Sequence, residues 1–409
     1  MERSRFHHEP STAGGRGTSP TGLSPQLNRP RPRRPPLHPP TPTRVLLVGA
    51  GHAHLHLVDR AAKLHRAGID LTLVAPRHFS YSGMATAVAA GTTPPEAARI
   101  DVAALATRRG IHHLEDTVVA CDPERHDVLL AGGERLRYDV VSFNIGSVAS
   151  LGALDVGAGV ATVKPFAELF ALPWWLATDE DQRRRVTIIG GGPSGLELAG
   201  QLSARFGDRV TVTLFERGST AGASLPDGAR RRVLDILGER GVTVRAEAAV
   251  ETVTRDHLVV AGRREEHDLA ILATGLVPAP LATTPGLGDA DGIPVRATLQ
   301  HLGHDDVYAA GDCARFTPRA LPKLGVHGVR QGPVLERSLL ARRRGRPLPT
   351  YRPQRRALQI LDLGGDTALA VRGRWWAEGP WMRRLKATID HRWLATYQGL
   401  SPSTEPGSP

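Results

Sequence analysis

Two copies of one short pattern constrain this chain more than anything else in it. Residues 45–58 read VLLVGAGHAHLHLV and residues 186–199 read VTIIGGGPSGLELA. In each, an apolar, partly β-branched run enters a glycine turn and leaves as a helix-like stretch, which reaches 67 in the first copy. This is the strand–turn–helix unit that cradles a dinucleotide. Gly49 permits the tight turn, and Gly51 lets backbone N–H groups approach a pyrophosphate at the helix N-terminus. The second copy has the full GxGxxG spacing at Gly190, Gly192 and Gly195. The first has His54 where the third glycine belongs. Two units in one chain imply two dinucleotides.

The surrounding sequence supports the duplication. A second strand is expected at 69–75, but no acid ends it: Ala75 and Pro76 occupy the position that would grip a ribose diol. Its counterpart at 210–215 does end in an acid, Glu216. A carboxylate there holds the two ribose hydroxyls and repels a 2′-phosphate, so NADH is expected over NADPH, with Arg217 alongside weakening that preference. Two later segments, YDVVSFNIGS and HDLAILATGL, each place an aspartate before an apolar strand. Each closes on a glycine where backbone meets ligand, Gly146 and then Gly275 beside Thr274. A third apolar strand, VYAAGDCA at 307–314, ends in Gly311-Asp312, with Asp312 suited to bind a sugar-alcohol chain. Short strands with turns are expected over 116–147, and at 242–247, 250–254 and 257–260. Helices are expected near Trp174-Trp175, over 227–240, and after the glycine-rich stretch 322–332, running through Ala341. The small, apolar stretch 79–91, with its Gly83-Met84 pair, reads as a packed helix or as a wall against a flat ring.

Composition bounds the alternatives. A chain of 409 residues that is 41% hydrophobic suits a globular protein of two or more domains. No apolar run approaches the roughly 18 residues that a membrane-crossing helix needs, and the N-terminus lacks the apolar core of a signal peptide. The formal charge of +11 resembles a nucleic-acid signal, yet residues 1–42 carry seven Arg against two Glu and ten of the 32 prolines. That tail reads as disordered. The basic run Arg342–Arg344 lacks interleaved aromatics, so a nucleic-acid partner is not expected. His52, His54 and His56 invite a metal reading, but no cysteine or carboxylate completes a ligand set, and no metal is expected. Cys121 and Cys313 are the only cysteines. They lie too far apart in sequence for the close-spaced pair of a dithiol relay, and read as reduced thiols.

With these motifs in place, the chain resembles the two-dinucleotide-domain flavoproteins, the pyridine nucleotide-disulphide oxidoreductase superfamily, and within it the type II NADH dehydrogenase-like branch. GAGHAH at 49–54, GGGPSGLELA at 190–199, ATG at 273–275 and AAGDCA at 309–314 carry the likeness. YSGM at 81–84, PKLGVHGVRQG and IDHRW at 389–393 are similar to a subgroup also found fused ahead of selenide, water dikinase; no kinase part is present in this sequence. The resemblance spans about 44–397. It implies an α/β fold of two Rossmann-like domains plus a small C-terminal α+β region. The FAD-binding domain would be split, 43–165 and 275–340, around an NAD(P)H-binding domain at 166–274, with 341–409 as the C-terminal region. Gly49, Ala50, Gly51, His52, Ala53 and His54 would line FAD, with Gly83, Met84, Val119, Gly146, Gly311, Asp312 and Val326. Gly190, Gly192, Pro193, Ser194, Gly195, Glu216, Thr274 and Gly275 would hold the nicotinamide cofactor. Glu197 would lie near its ring, and Lys323 beside the flavin and the acceptor. His54, the missing acid at Ala75-Pro76 and Asn144 depart from the family pattern and bear on how FAD is held.

The function implied is an FAD-dependent dehydrogenase that takes hydride from NAD(P)H and passes electrons to a small acceptor, a quinone first of all. The alternatives are reduction of a soluble acceptor, including one tied to selenium or sulfur chemistry, and a flavin-binding sensor without turnover. The C-terminal stretch 380–397 has helical spacing, with Trp381, Leu385, Ile389, Trp393 and Tyr397 in one stripe. Arg383, Arg384, Lys386, His391 and Arg392 flank it. It is expected either to cap its own domain or to lie on a membrane surface from the cytoplasmic side.

Overall fold

The computed structural model describes residues 41–166, 168–177 and 182–399. The tail reading for 1–42 therefore falls almost wholly outside the described residues.

Each glycine-turn unit sits at the centre of its own five-stranded parallel sheet. In the first, Thr43–Val48 lies between Ile69–Val74 and Val140–Phe143, with His112–Leu114 and Val307–Ala309 at the edges. In the second, Arg184–Ile189 lies between Val210–Phe215 and Leu269–Leu272, with Thr243–Arg245 and Ala161–Thr162 at the edges. Parallel strands covered on both faces read as continuous apolar runs, and both central strands end in four consecutive buried residues. The ribbons Ser147–Ala149 and Leu276–Pro278 pair antiparallel and join the two halves.

The helix expected to run unbroken through 67 divides at Arg60 into His52–Asp59 and Ala61–Arg66. The segment with the Gly-Met pair is a 3-10 turn, Ser82–Met84, followed by the short helix Ala85–Ala89. Its many alanines let it lie close to the second half, and Ala89 and Ala90 join that half's core. The helix Gly325–Arg343 packs along His52–Asp59, where Glu336 accepts from Lys63 Nζ at 2.7 Å and bonds His56 Nε2 at 2.8 Å. The C-terminal region is a three-stranded antiparallel sheet, Gln359–Asp362, Ala368–Arg372 and Trp375–Glu378, followed by the helix Pro380–Gln398. Leu361, Leu363 and Leu369 of that sheet enter the core of the second half.

The aspartates before the two strands Val140–Phe143 and Leu269–Leu272 have the same task in each half. Asp139 accepts from the backbone N–H of Arg44 at 2.8 Å and from its guanidinium at 2.7 Å. Asp268 does the same for Arg185, at 2.7 and 2.9 Å. They latch neighbouring strands at the end of each sheet away from the glycine turns.

At the turn end of the first sheet, Asn144 joins four segments. Its backbone N–H donates to Val48 O and its carbonyl accepts from Gly51 N. Its side-chain oxygen accepts from Ala53 N at 2.9 Å and His54 N at 3.3 Å, and its Nδ2 donates to Ala310 O at 2.6 Å. Truncation leaves buried groups without partners. Asn144→Ala should therefore lose about 2–4 kcal/mol of stability, read as a lowered denaturant midpoint. An unchanged midpoint would refute this role.

Candidate functional site

The first glycine turn depends on backbone conformation and on close approach. Gly49 has φ +85°, and a Cβ on it would stand 2.7 Å from Asn144 O. His54 does not present its ring to a ligand. It is fully buried, Nδ1 donating to Gly49 O at 2.6 Å and Nε2 accepting from Ser142 Oγ at 2.8 Å. Burial lowers its pKa to about 4, so it is neutral. His52 lies under Phe79, Tyr81 and Trp393, with ring centroids 4.7 Å from Trp393, and is likewise lowered to about 4, chiefly by burial. Among the described residues no group of three or more His, Cys, Asp or Glu could hold a metal ion.

The strand ends Asn144–Ser147 and Ala310–Asp312 carry a charged cluster. Asp312 Oδ2 accepts from Ser147 Oγ at 2.7 Å and from Lys164 Nζ at 3.1 Å. Burial opposes ionisation of Asp312, but Lys164, Ser147 and Lys323 outweigh it and hold the carboxyl below its usual range. Lys323 Nζ donates to Asp312 O at 2.7 Å, and Gln331 accepts from Gly311 N at 2.7 Å. Lys164 belongs to none of the motifs in the sequence, so nothing there signals its place in this cluster. A Cβ on Gly146 would come to ordinary contact distance, 3.8 Å, from Lys164 Nζ, so the lysine borders this strand end. Val326 opens the helix Gly325–Arg343, partly exposed. Val119 is 47% exposed on the strand Val118–Asp122.

The second turn fits a dinucleotide by the space it leaves. Gly190 has φ +115°, and a Cβ on Gly195 would stand 2.0 Å from Gly190 O, whereas Gly192 and Gly275 face open space. Pro193 begins the helix Pro193–Phe206, with Ser194 exposed beside it. The Glu216 carboxylate accepts from Gly191 N at 2.8 Å and Gly218 N at 2.7 Å, which aims it across the turn. The Thr274 hydroxyl donates to Ser150 O.

Between the halves and the C-terminal helix lies a cavity of about 560 Å³. Gly83, Met84 and Ala87 form one wall, Glu197 and Gln201 another, Asp362 a third, and Arg383, Lys386, Asp390 and His391 close it. Glu197 Oε1 accepts from Asp362 N at 3.0 Å. Burial is the main reason its pKa rises to about 7, against the pull of Lys386. Lys386 Nζ donates to Asp390 Oδ2 at 2.8 Å and to Gly83 O. Tyr81 donates its hydroxyl to Asp390 Oδ1 at 2.8 Å and stacks on Trp393, ring centroids 4.8 Å apart. The sequence places Lys386 only among the charges flanking the stripe, and its pairing with Asp390 was not foreseen. Their i,i+4 spacing was the available signal.

The thiols stand apart from the cavity. Cys313 Sγ is buried against Ala310 O at 3.3 Å, and burial raises it to about 11. Cys121 Sγ lies 3.7 Å from Tyr138 Oη and is pushed to about 12, again by burial. At pH 8 about one in a thousand Cys313 thiols is ionised. Alkylation of native protein should be slow at both sites, and fast only after unfolding. Rapid native labelling of Cys313 would contradict this packing.

The family described as "Pyridine nucleotide-disulphide oxidoreductase" matches residues 43–332. The chain is 28% identical to the demethylphylloquinone reductase NdbB of Synechocystis, over 65% of this chain and 70% of that one. It is also 28% identical to the nitric oxide reductase FlRd-NAD(+) reductase of Shigella sonnei, over 79% and 86%. Among solved structures, the sulfide:quinone oxidoreductase of Aquifex aeolicus superposes with a TM-score of 0.73 at 16% identity, covering 87% of this chain and 92% of that one.

Proposed function

Because the chain belongs to the pyridine nucleotide-disulphide oxidoreductase family, it is an FAD-dependent oxidoreductase that uses NAD(H), and we propose that it passes the electrons of NADH to a quinone. FAD, when bound, accepts a hydride equivalent and releases two electrons. We assign 43–165 and 275–340 to its binding and 166–274 to NADH. The first turn, with Gly49, Ala50, Gly51 and Ala53, would face the FAD pyrophosphate, Asp312 would hold the sugar-alcohol chain, and Lys164 and Lys323 would supply positive charge beside the ring. Gly190, Gly192, Gly195 and Glu216 would hold NADH.

The observation that carries the acceptor reading is the cavity with Glu197. Reduction of a quinone by NADH consumes one solvent proton: NADH, H⁺ and quinone give NAD⁺ and quinol. A carboxyl that titrates near neutral pH inside a water-accessible cavity is suited to hold that proton and give it to a quinone oxygen. No thiol is needed, and neither cysteine lines this cavity. The demethylphylloquinone reductase among the relatives supports a quinone. The FlRd-NAD(+) reductase favours a second reading, a soluble protein as acceptor.

The protonated fraction of Glu197 falls as pH rises through about 7. Quinone reduction should therefore slow about tenfold from pH 6 to pH 8. Glu197→Gln should abolish this limb and slow turnover about a hundredfold or more, in steady-state assays with NADH and a short-chain quinone. Absence of quinone reduction, with NADH still bleaching the flavin band, would transfer the proposal to a soluble acceptor.

We also propose peripheral membrane contact through the helix Pro380–Gln398. Trp381, Leu385 and Ile389 are 53%, 37% and 44% exposed on one face, with Arg384 and Arg392 exposed near them. Trp393 and Tyr397, read in the sequence as part of the same stripe, pack inward instead. No helix among the described residues is long and apolar enough to cross a membrane. The protein should co-sediment with anionic vesicles, and Trp381→Ala/Leu385→Ala should weaken that binding about tenfold or more. Equal binding by the two proteins would remove this helix from the interface.

A further inference from the structure

Glu197 shares its cavity with a lysine that has three carboxylates within electrostatic reach, Glu197, Asp390 and Asp362. The lysine is committed to one of them. Lys386 Nζ sits 2.8 Å from Asp390 Oδ2, one helical turn away, and its other bond is to Gly83 O. The second oxygen of Asp390 takes the hydroxyl of Tyr81, whose ring is stacked on Trp393. Both oxygens of Asp390 are thus occupied, and its side chain is fixed from two directions. Glu197 is left with a backbone N–H of Asp362.

We propose that Asp390 is a positioning residue that retains Lys386 and so keeps Glu197 free of an ion pair, as a carboxyl able to take up and release a proton in the cavity. Were Lys386 to turn to Glu197, their pairing in this enclosed site would hold Glu197 ionised through the neutral range. Asp362 acts on Glu197 and Lys386 in the same direction as Asp390, but among the described residues Asp390 is the charged group that bonds Lys386. From the C-terminal sheet, Asp362 lies 3.7 Å from Arg383, and Asp366 is 92% exposed in its side chain. From the C-terminal helix, Arg383, Arg384 and His391 line the cavity but are exposed to solvent. The segment 83–93 offers Gly83, Met84, Thr86, Ala87 and Thr93, none of them charged, and Tyr81 donates to Asp390 itself.

This role predicts opposite effects from the two ends of one ion pair. Removing the Asp390 charge withdraws an anion that favours protonated Glu197 and releases Lys386 towards it. Removing the Lys386 charge withdraws the cation that favours ionised Glu197. The measurement is an infrared pH titration of the purified, FAD-loaded full chain. The carboxylic-acid carbonyl band of Glu197 is identified by its loss in Glu197→Gln. Asp390→Asn should move the Glu197 midpoint down by at least about half a pH unit, and Lys386→Met should move it up by a similar amount. An unmoved midpoint in Asp390→Asn, or displacement of both variants in the same direction, overturns the assignment. If Asp390→Asn fails to fold, Lys386→Met decides alone, and an unmoved or lowered midpoint overturns it.

The inference rests on the quinone reading only for its consequence in turnover. If the infrared midpoints move as stated while quinone reduction shows no limb near neutral pH, the quinone reading fails and the role of Asp390 stands.

Discussion

Asn144 is the amide on which the first glycine turn depends. A parallel sheet delivers its strand ends to one edge but does not by itself tie them to each other or to the helix that follows. Asn144 does so within the first half, bonding the strand before the turn, the first residues of the helix and the end of the edge strand at Ala310. Once Ala310 is fixed, Gly311 and Asp312 follow, and Lys164 and Lys323 gather around Asp312. The positive surroundings thus descend from an uncharged side chain. The second half needs no such amide. Its equivalent position is Ala273, because GxGxxG spacing brings the backbone of Gly190 and Gly195 into direct contact.

The C-terminal helix joins two regions whose requirements conflict. Its inner side must be polar enough to hold Lys386 and Asp390 against Tyr81 and Gly83, and its outer side presents Trp381, Leu385 and Ile389. Met382 and Leu394, buried at either end of the inner face, supply the apolar contact that lets charge be buried between them. Buried ion pairs contribute little to stability on balance. The Lys386–Asp390 pair is better understood through what it specifies, the orientation of a lysine in a cavity with a second acid.

Much of the architecture was legible because it rests on repetition. Both glycine turns, the strand endings at Gly146 and Gly275 and the acid at Glu216 follow from local spacing, and spacing survives in sequence. The aspartates before two of the strands were also visible, but their purpose was not. Asp139 and Asp268 latch sheet ends through an arginine distant in the chain. The cavity was harder to foresee, since it draws Gly83, Glu197, Asp362 and Asp390 from four separate segments, and no periodicity joins residues so far apart. The stripe at 381–397 was correct as a helix and mixed as a surface. A helical face wraps the axis, and its last aromatics turn into the protein where Tyr81 and His52 await them.

The ring of His54 bears on how this chain could be altered in the laboratory. Reversion to the familiar fingerprint would place glycine at 54. In this fold the imidazole fills space between the turn and the strand behind it, and supplies partners to Gly49 O and Ser142 Oγ. Glycine would restore the motif on paper while leaving a void, two unpartnered polar groups and a more flexible helix start. Averaging over relatives improves a protein only where neighbouring positions have not adapted to the exception. Here Ser142 bonds the imidazole directly, so the histidine and the serine form one unit that must be exchanged together or left alone.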